Sequence, residues 1–136
     1  MSDTIRVLLV KPMQPSLVAE IPADLNGLQK TVGGYIEAIY PYPDADIALV
    51  CDEEGKLSGK TLNRALRDED GHIYDIIAGD FFICDASGEN FGSLSDDQIQ
   101  RFTKEFQTPE VFIKIDGKIA AIPLINSTTP RNNDAR

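Results

Sequence analysis

Short apolar runs, each followed by a polar or glycine-containing turn, recur along the whole chain. Runs of this length that are rich in Val and Ile, or that alternate apolar with polar positions, are typical of β-strands. We predict strands at 5–10, 17–21, 35–40, 46–51, 111–115 and 118–122, and at 73–77 and 79–84, which form either two strands or one strand kinked at Ala78-Gly79.

A helix that reverses into a strand is predicted near the start of the chain. Three apolar residues recur at helical spacing and would face the core: Leu25, Leu28 and Val32. Asp24 is the expected N-cap, because its carboxylate can accept the free N–H groups of the first turn. Gly33 is the expected left-handed C-cap, after which the chain continues as the strand 35–40.

A second helix is predicted over 96–106. Ser95 would cap it, with Gln98 three residues later as the partner in a capping box, and Leu94 can pack against Ile99. A third, short helix is predicted after Thr61, since Leu62, Ala65 and Leu66 also stand at helical spacing.

The runs 111–115 and 118–122 are joined by Asp116-Gly117, which is typical of a type I′ hairpin turn. The polar segment 126–136 is predicted to be a disordered tail. We therefore predict a single α+β domain over 1–125, with a mainly antiparallel sheet of six to seven strands and two or three short helices.

Composition fits one soluble domain. The chain has 136 residues, of which 42% are hydrophobic and 26% charged, close to globular averages. The first residues lack the pattern of a secretory signal, and no apolar run approaches the length of a membrane span. Cys51 and Cys84 lie inside apolar runs, so we expect buried, reduced thiols and a cytoplasmic protein.

The net charge of −9 is concentrated in the middle of the chain. Residues 41–100 carry fourteen acidic and four basic side chains. This excess argues against direct nucleic-acid binding, which needs basic surface. It is either a solvated face that keeps the protein soluble or an acidic patch for a basic partner protein.

No catalytic motif, metal site or cofactor is predicted. The single histidine, His72, follows an acidic turn at 68–71 and is expected to be exposed. That turn lacks the ligand spacing of a calcium loop. The segment Tyr40-Pro41-Tyr42-Pro43 can stack on peptide ligands, but a rigid turn is the preferred interpretation.

The candidate ligand- or partner-binding residues are Tyr35, Glu37, Asn63, Arg64 and Asp80. Arg64 stands among apolar residues, and we expect it to find a carboxylate partner such as Glu37 or Asp80. Such a buried ion pair would orient the segment. Alternatively, the guanidinium contacts an anion or a partner protein.

Four ordered motifs resemble the bacterial and phage family catalogued as domain of unknown function 3846, over about residues 4–106. These are Thr31-Val32-Gly33-Gly34-Tyr35-Ile36-Glu37, Ala48-Leu49-Val50-Cys51-Asp52-Glu53-Glu54-Gly55-Lys56-Leu57, Leu62-Asn63-Arg64-Ala65-Leu66 and Asp75-Ile76-Ile77-Ala78-Gly79-Asp80-Phe81-Phe82-Ile83. The resemblance implies a small cytoplasmic protein of the kind found on phages and mobile elements of Firmicutes. It assigns no catalytic residue.

Three functions remain open, and the sequence does not determine the oligomeric state. The preferred hypothesis is a non-enzymatic accessory module of a phage or mobile element that binds a basic protein. The second is a site for a small anionic ligand or nucleotide, binding or enzymatic, near Tyr35, Asn63, Arg64 and Asp80. The third is a structural role in which edge strands pair between protomers.

Overall fold

The computed structural model describes residues 3–125, to which every structural statement below refers. They form nine strands and two helices: β1 Thr4–Val10, β2 Leu17–Pro22, α1 Leu25–Val32, β3 Ile36–Ile39, β4 Ile47–Asp52, β5 Leu62–Arg67, β6 Ile73–Ala78, β7 Phe81–Asp85, α2 Asp96–Phe106, β8 Glu110–Ile115 and β9 Lys118–Pro123. The α+β class and the predominance of antiparallel pairing are confirmed. The predicted tail 126–136 lies outside the described residues.

The main sheet has five strands in the order β2-β1-β7-β4-β3, and all neighbours are antiparallel. The predicted hairpin of the first two strands is confirmed, with Val7 opposite Ala19. Strands β4 and β7 lie inside the sheet and are buried along nearly their whole length. Their unbroken apolar sequences follow from this burial on both faces.

The sheet separates two apolar clusters. On one face, α1 contributes Leu28 and Val32 to a cluster around Val50 and Phe82. On the other, α2 contributes Phe102 and Phe106 to a larger cluster, which also includes residues of β5 and β6. Among residues 3–125, no helix has the length and apolarity that a membrane span requires.

Strands β5–β6 and β8–β9 form two further two-stranded sheets, so the prediction of a single sheet with six to seven strands is wrong. The predicted short helix over 62–66 is also wrong, because these residues belong to β5. The pairing with β6 is irregular between Leu62 and Arg64, and residues 63–66 are all buried. A bulged strand that is buried on both faces has no simple alternation, which explains its helix-like spacing.

The segments 73–77 and 79–84 form two strands that belong to different sheets. Between them, Gly79 has a φ of 82°, which glycine adopts without steric cost. This residue turns the chain from β6 into β7, so the strand break falls at the predicted Ala78-Gly79 position.

The predicted boundaries of α1 are confirmed. Asp24 accepts a hydrogen bond from the Gly27 N–H at 2.8 Å, and Gly33 is left-handed with a φ of 79°. The prediction that Leu25 faces the core is wrong, since it is 58% exposed. It opens the helix next to Asp24 and Asn26, which are exposed as well.

The two strongest local signals are confirmed. Ser95 and Gln98 form the capping box at the start of α2. At the turn between β8 and β9, Asp116 has a φ of 52° and Gly117 a φ of 80°, as a type I′ turn requires. The predicted buried, unpaired state of Cys51 and Cys84 is confirmed too.

Candidate functional site

Asn63 is fully buried and joins three parts of the fold. Its side-chain amide donates hydrogen bonds to the carbonyl of Val10, at 2.9 Å, and to that of Gly79, at 2.8 Å. The first carbonyl belongs to the end of β1 and the second to the turn before β7. Asn63 thus fixes β5 against the main sheet.

Arg64 is 2% exposed, but the predicted ion pair with Glu37 or Asp80 is wrong. Its Nη2 donates to the carbonyls of Gln14, at 2.7 Å, and Phe106, at 2.8 Å, and its Nη1 donates to the Asn63 Oδ1 at 2.9 Å. Phe106 is the last residue of α2, where the helix dipole stabilises a cation.

The guanidinium of Arg64 is therefore held mainly by dipoles. Burial lowers the pKa of Arg64, while the nearby charge of Glu110 opposes the shift. An arginine remains protonated at any physiological pH. Within residues 3–125, its Nε is buried and has no hydrogen-bond partner. This arrangement favours a structural role, in which Arg64 fastens β5 to the end of α2.

Lys60 fastens the segment before β5 to the end of α1 in a similar way. Its Nζ donates to the carbonyls of Val32 and Gly33, both at 3.0 Å, and lies 2.6 Å from the Asp52 Oδ2. The hydrogen bond from Lys60 lowers the pKa of Asp52. A Cβ at Gly34 would lie 2.6 Å from the Asp52 Oδ1, so this carboxylate packs directly on the glycine backbone.

The remaining predicted site residues lie elsewhere. Tyr35 is 69% exposed just before β3, and Glu37 is exposed on β3 at the edge of the main sheet. Asp80 is half-buried and lines a cavity of about 400 Å³ beside Lys60. Arg64 lines a different cavity, of about 320 Å³, next to Phe106. The five residues thus do not line one shared cavity.

A larger groove, of about 710 Å³, lies between the segment 41–44 and the turn that joins β5 to β6. Its walls are Pro41, Tyr42, Pro43, Asp44, Arg67, Asp68, Glu69, Asp70 and Tyr74. We call it the acidic groove. It combines the rings of two tyrosines and two prolines with four carboxylates, and Arg67 is its one basic wall residue.

Helix α2 holds the 41–44 side of the acidic groove in place. The Tyr42 hydroxyl donates to Glu105 at 2.8 Å, and the Tyr42 ring packs on Phe102 with 4.8 Å between centroids. Arg101 binds Asp44 at 3.1 Å. Burial and the Glu105 charge raise the pKa of Tyr42, so the phenol stays a donor.

The charge of Arg67 is already balanced. Its Nη2 lies 2.6 Å from the Glu110 Oε2, and the other Glu110 oxygen accepts from the Ala65 N–H at 2.9 Å. By contrast, Glu69 and Asp70 are exposed and form no ion pair in the part of the chain that the structure covers. The acidic groove therefore keeps a negative potential.

The turn at 68–71 brings three ligand-type groups together. Single ligand atoms of Asp68, Asp70 and His72 lie within 4.8 Å of one another, and all three residues are exposed. The exposure predicted for His72 is confirmed. The Asp68 Oδ1 accepts from the N–H groups of Asp70 and His72, at 3.0 and 2.9 Å. These bonds give Asp68 a role in shaping the turn.

Sequence reasoning did not select the groove residues, although both halves carry a signal. The aromatic-proline segment and the acidic turn each have a sufficient local explanation as a turn. Only the packing of Tyr42 on α2 brings the segment 41–44 close to Tyr74 and the acidic turn.

Comparison with known proteins supports the resemblance. A family model described as Domain of unknown function (DUF3846) matches residues 5–107. No curated protein and no solved structure matches the chain. The matched span runs from β1 through α2 and stops before β8. Because the family model covers more than half of the chain, we conclude that the chain belongs to the DUF3846 family.

Proposed function

We propose that this chain is a non-enzymatic binding module, and that its acidic groove binds a basic segment of a partner protein. The observation that carries the proposal is the makeup of the groove, in which aromatic and proline surfaces stand among four carboxylates. Its basic residue, Arg67, is neutralised by Glu110. The negative potential of such a site favours a lysine or arginine side chain over a neutral or acidic one.

Two features of the groove suit a peptide ligand. Tyr74 is 55% exposed and presents its ring to the groove, where a guanidinium or ammonium group can stack on it. The 41–44 wall contains two prolines and is fastened to α2. It is therefore preorganised, and little conformational entropy is lost when a ligand binds. The charges of Glu69 and Asp70 would speed encounter with a basic partner and select against acidic ones.

The excess of acidic residues over 41–100 supports the same proposal on a larger scale. Charge of one sign around a groove attracts a partner of opposite sign from a distance. An accessory protein of a phage or mobile element could use this acidic charge to cover a basic surface of a host protein. That basic surface would otherwise contact nucleic acid.

Site-specific photocrosslinking in cells tests this proposal. A photoreactive phenylalanine analogue would replace Tyr74 in the groove, and Tyr35 in a matched control, because both tyrosines are exposed. We expect the Tyr74 position to give discrete adducts whose crosslinked peptides are rich in Lys and Arg. Identical adducts from both positions, or adducts without basic residues, would contradict the proposal.

A further inference from the structure

We propose that β9 pairs edge to edge with β9 of a second copy of this chain, in an antiparallel register centred on Ala120. The proposal concerns the β8–β9 hairpin, which lies beyond the span matched by the family model. It is independent of the acidic groove, and either proposal can fail without the other.

Of the two outer edges of the hairpin, that of β9 is the more open, because β8 lies beside β5. One end of β8 is held against β5, since Glu110 accepts the Ala65 N–H and binds Arg67. In the part of the chain that the structure describes, β9 pairs with β8 alone. An unpaired edge of uncharged residues is a template for another strand. Here the uncharged stretch is Ile119–Ile122, flanked by Lys118 and Pro123.

The register of the hairpin shows which backbone groups of β9 point outwards. Ile115 and Lys118 face each other across the two-residue turn, and such a pair exchanges both backbone hydrogen bonds. Bonded and non-bonded positions then alternate along the strand. The residues of β9 whose backbone groups point outwards are therefore Ile119, Ala121 and Pro123. Pro123 has no backbone N–H, so it presents only its carbonyl.

This pattern selects the register of the second copy. When Ala120 faces Ala120 of the other copy, Ile119 lies opposite Ala121 of that copy. By the same symmetry, Ala121 lies opposite Ile119 of that copy. Each outward N–H of Ile119 and Ala121 then meets an outward carbonyl. The two Ala120 residues form a non-hydrogen-bonded pair, in which Cα atoms approach to roughly 4.5 Å. A small side chain suits this close approach.

Charge and apolar exposure favour a second copy at this edge. Residues 110–123 carry two acidic and two basic side chains, so two hairpins can meet without the repulsion expected between other surfaces of an acidic protein. Four isoleucines of the hairpin, Ile113, Ile115, Ile119 and Ile122, are between 41% and 52% exposed. Two-stranded hairpins are marginal alone, and a four-stranded ribbon would bury more apolar surface.

The assembly would close at two copies. The two-fold axis passes through the Ala120 pair, so the same surface is used on both sides. Each copy contributes its β9 edge, and β8 stays on the far side of the hairpin, beside β5. Pairing through β9 uses the same edge of both copies, so this interface does not propagate into a filament.

Cysteine crosslinking tests the register directly. In Ala120→Cys, the facing Cα atoms lie within the range that a disulfide spans, whereas in Ala121→Cys the equivalent atoms are offset diagonally by roughly 7–8 Å. We expect mild oxidation to convert Ala120→Cys to a covalent dimer and to leave Ala121→Cys mainly monomeric. The native cysteines are buried and should not interfere.

Sedimentation equilibrium supplies the second measurement. The wild-type protein should shift from monomer to dimer as its concentration rises. Ala121→Pro removes an outward N–H and leaves the bonds within the hairpin intact, so it should stay monomeric with an unchanged circular dichroism spectrum. A wild type that is monomeric at all concentrations, equal crosslinking of both cysteine variants, or a dimer that persists in Ala121→Pro would each overturn the proposal.

Discussion

Lys60, two residues before β5, and Arg64, within β5, cap the C-termini of two different helices. The Lys60 Nζ donates to the Val32 carbonyl of α1 at 3.0 Å, and the Arg64 Nη2 donates to the Phe106 carbonyl of α2 at 2.8 Å. The last carbonyls of a helix have no partner within it and carry its negative pole. The β5 region thus satisfies one such end on each face of the main sheet.

Replacing Arg64 should destabilise the fold strongly. In Arg64→Met, the buried carbonyl of Phe106 and the partly buried carbonyl of Gln14 lose their donor, and a buried group left unsatisfied costs about 1–3 kcal/mol. We expect the free energy of unfolding to fall by about 3 kcal/mol or more in urea denaturation. Arg64→Lys should retain part of the free energy of unfolding that Arg64→Met loses, but not all of it, since an ammonium cannot reproduce the planar, forked donors of the guanidinium.

The matched control is Arg101→Met, which removes an arginine from an exposed ion pair with Asp44. Exposed pairs contribute up to about 1 kcal/mol. If Arg64→Met costs no more than this control, the structural role assigned to Arg64 is wrong.

The ion pair of Asp52 and Lys60 should make stability depend on pH in a defined direction. Lys60 lowers the pKa of Asp52 in the folded state, below the ordinary value of about 3.9. The contribution is therefore present above about pH 4 and is lost as the pH falls through the folded pKa. At pH 7 we expect the free energy of unfolding of Asp52→Asn to be about 2 kcal/mol lower than that of the wild type.

That difference should shrink as the pH falls from about 4 through the lowered pKa of Asp52, where the folded wild-type carboxyl also becomes neutral. Glu53→Gln serves as the control, because Glu53 is exposed and its side chain has no ion pair among the described residues. A difference between Asp52→Asn and wild type that stays constant from pH 7 to pH 3 would exclude this explanation.

Gly34 should tolerate no side chain. Its Cβ would lie 2.6 Å from the Asp52 carboxylate, whereas a Cβ at Gly88 would approach nothing closer than 3.9 Å. We expect Gly34→Ala to lower the free energy of unfolding by about 1–3 kcal/mol, as overpacking does, and Gly88→Ala to leave it nearly unchanged. Thermal melts of the two variants compare them directly.

A double variant shows whether Asp52 is the cause. If Gly34→Ala acts by displacing the carboxylate, its cost should be smaller in an Asp52→Ala background than in the wild type. Additive costs would mean that the glycine is required for another reason.

Local signals in the sequence predicted several elements well. The capping box of Ser95 and Gln98 and the Asp116-Gly117 turn each contain the residues that their backbone geometry demands, so they needed no tertiary information. Strand β5 is different. Its bulge and its burial on both faces remove the alternation that identifies a strand, and only contact with the rest of the fold determines its conformation.

The candidate site residues were harder to predict for the same reason. The partners of Arg64 are backbone carbonyls, which leave no signature in a sequence. The acidic groove combines residues from 41–44, 67–70 and Tyr74, and packing on α2 brings them together. Several residues of the motifs that identified the family, among them Gly34, Asp52 and Arg64, instead support the fold.

The most direct test of the binding proposal is a titration of the protein with a short peptide rich in lysine and arginine, followed by fluorescence anisotropy at several salt concentrations. The groove variant combines Glu69→Gln with Asp70→Asn and leaves Asp68, which shapes the turn, unchanged. The control combines Glu53→Gln with Glu89→Gln, which changes the net charge equally at two exposed positions outside the groove.

We predict that the wild type and the control bind the peptide alike, with affinity that falls as salt rises. The groove variant should bind about tenfold more weakly, a loss of about 1.4 kcal/mol. Equal weakening of both variants would show that net charge alone attracts the peptide. That result, or no binding by the wild type at low salt, would contradict the assignment of the acidic groove as the binding site.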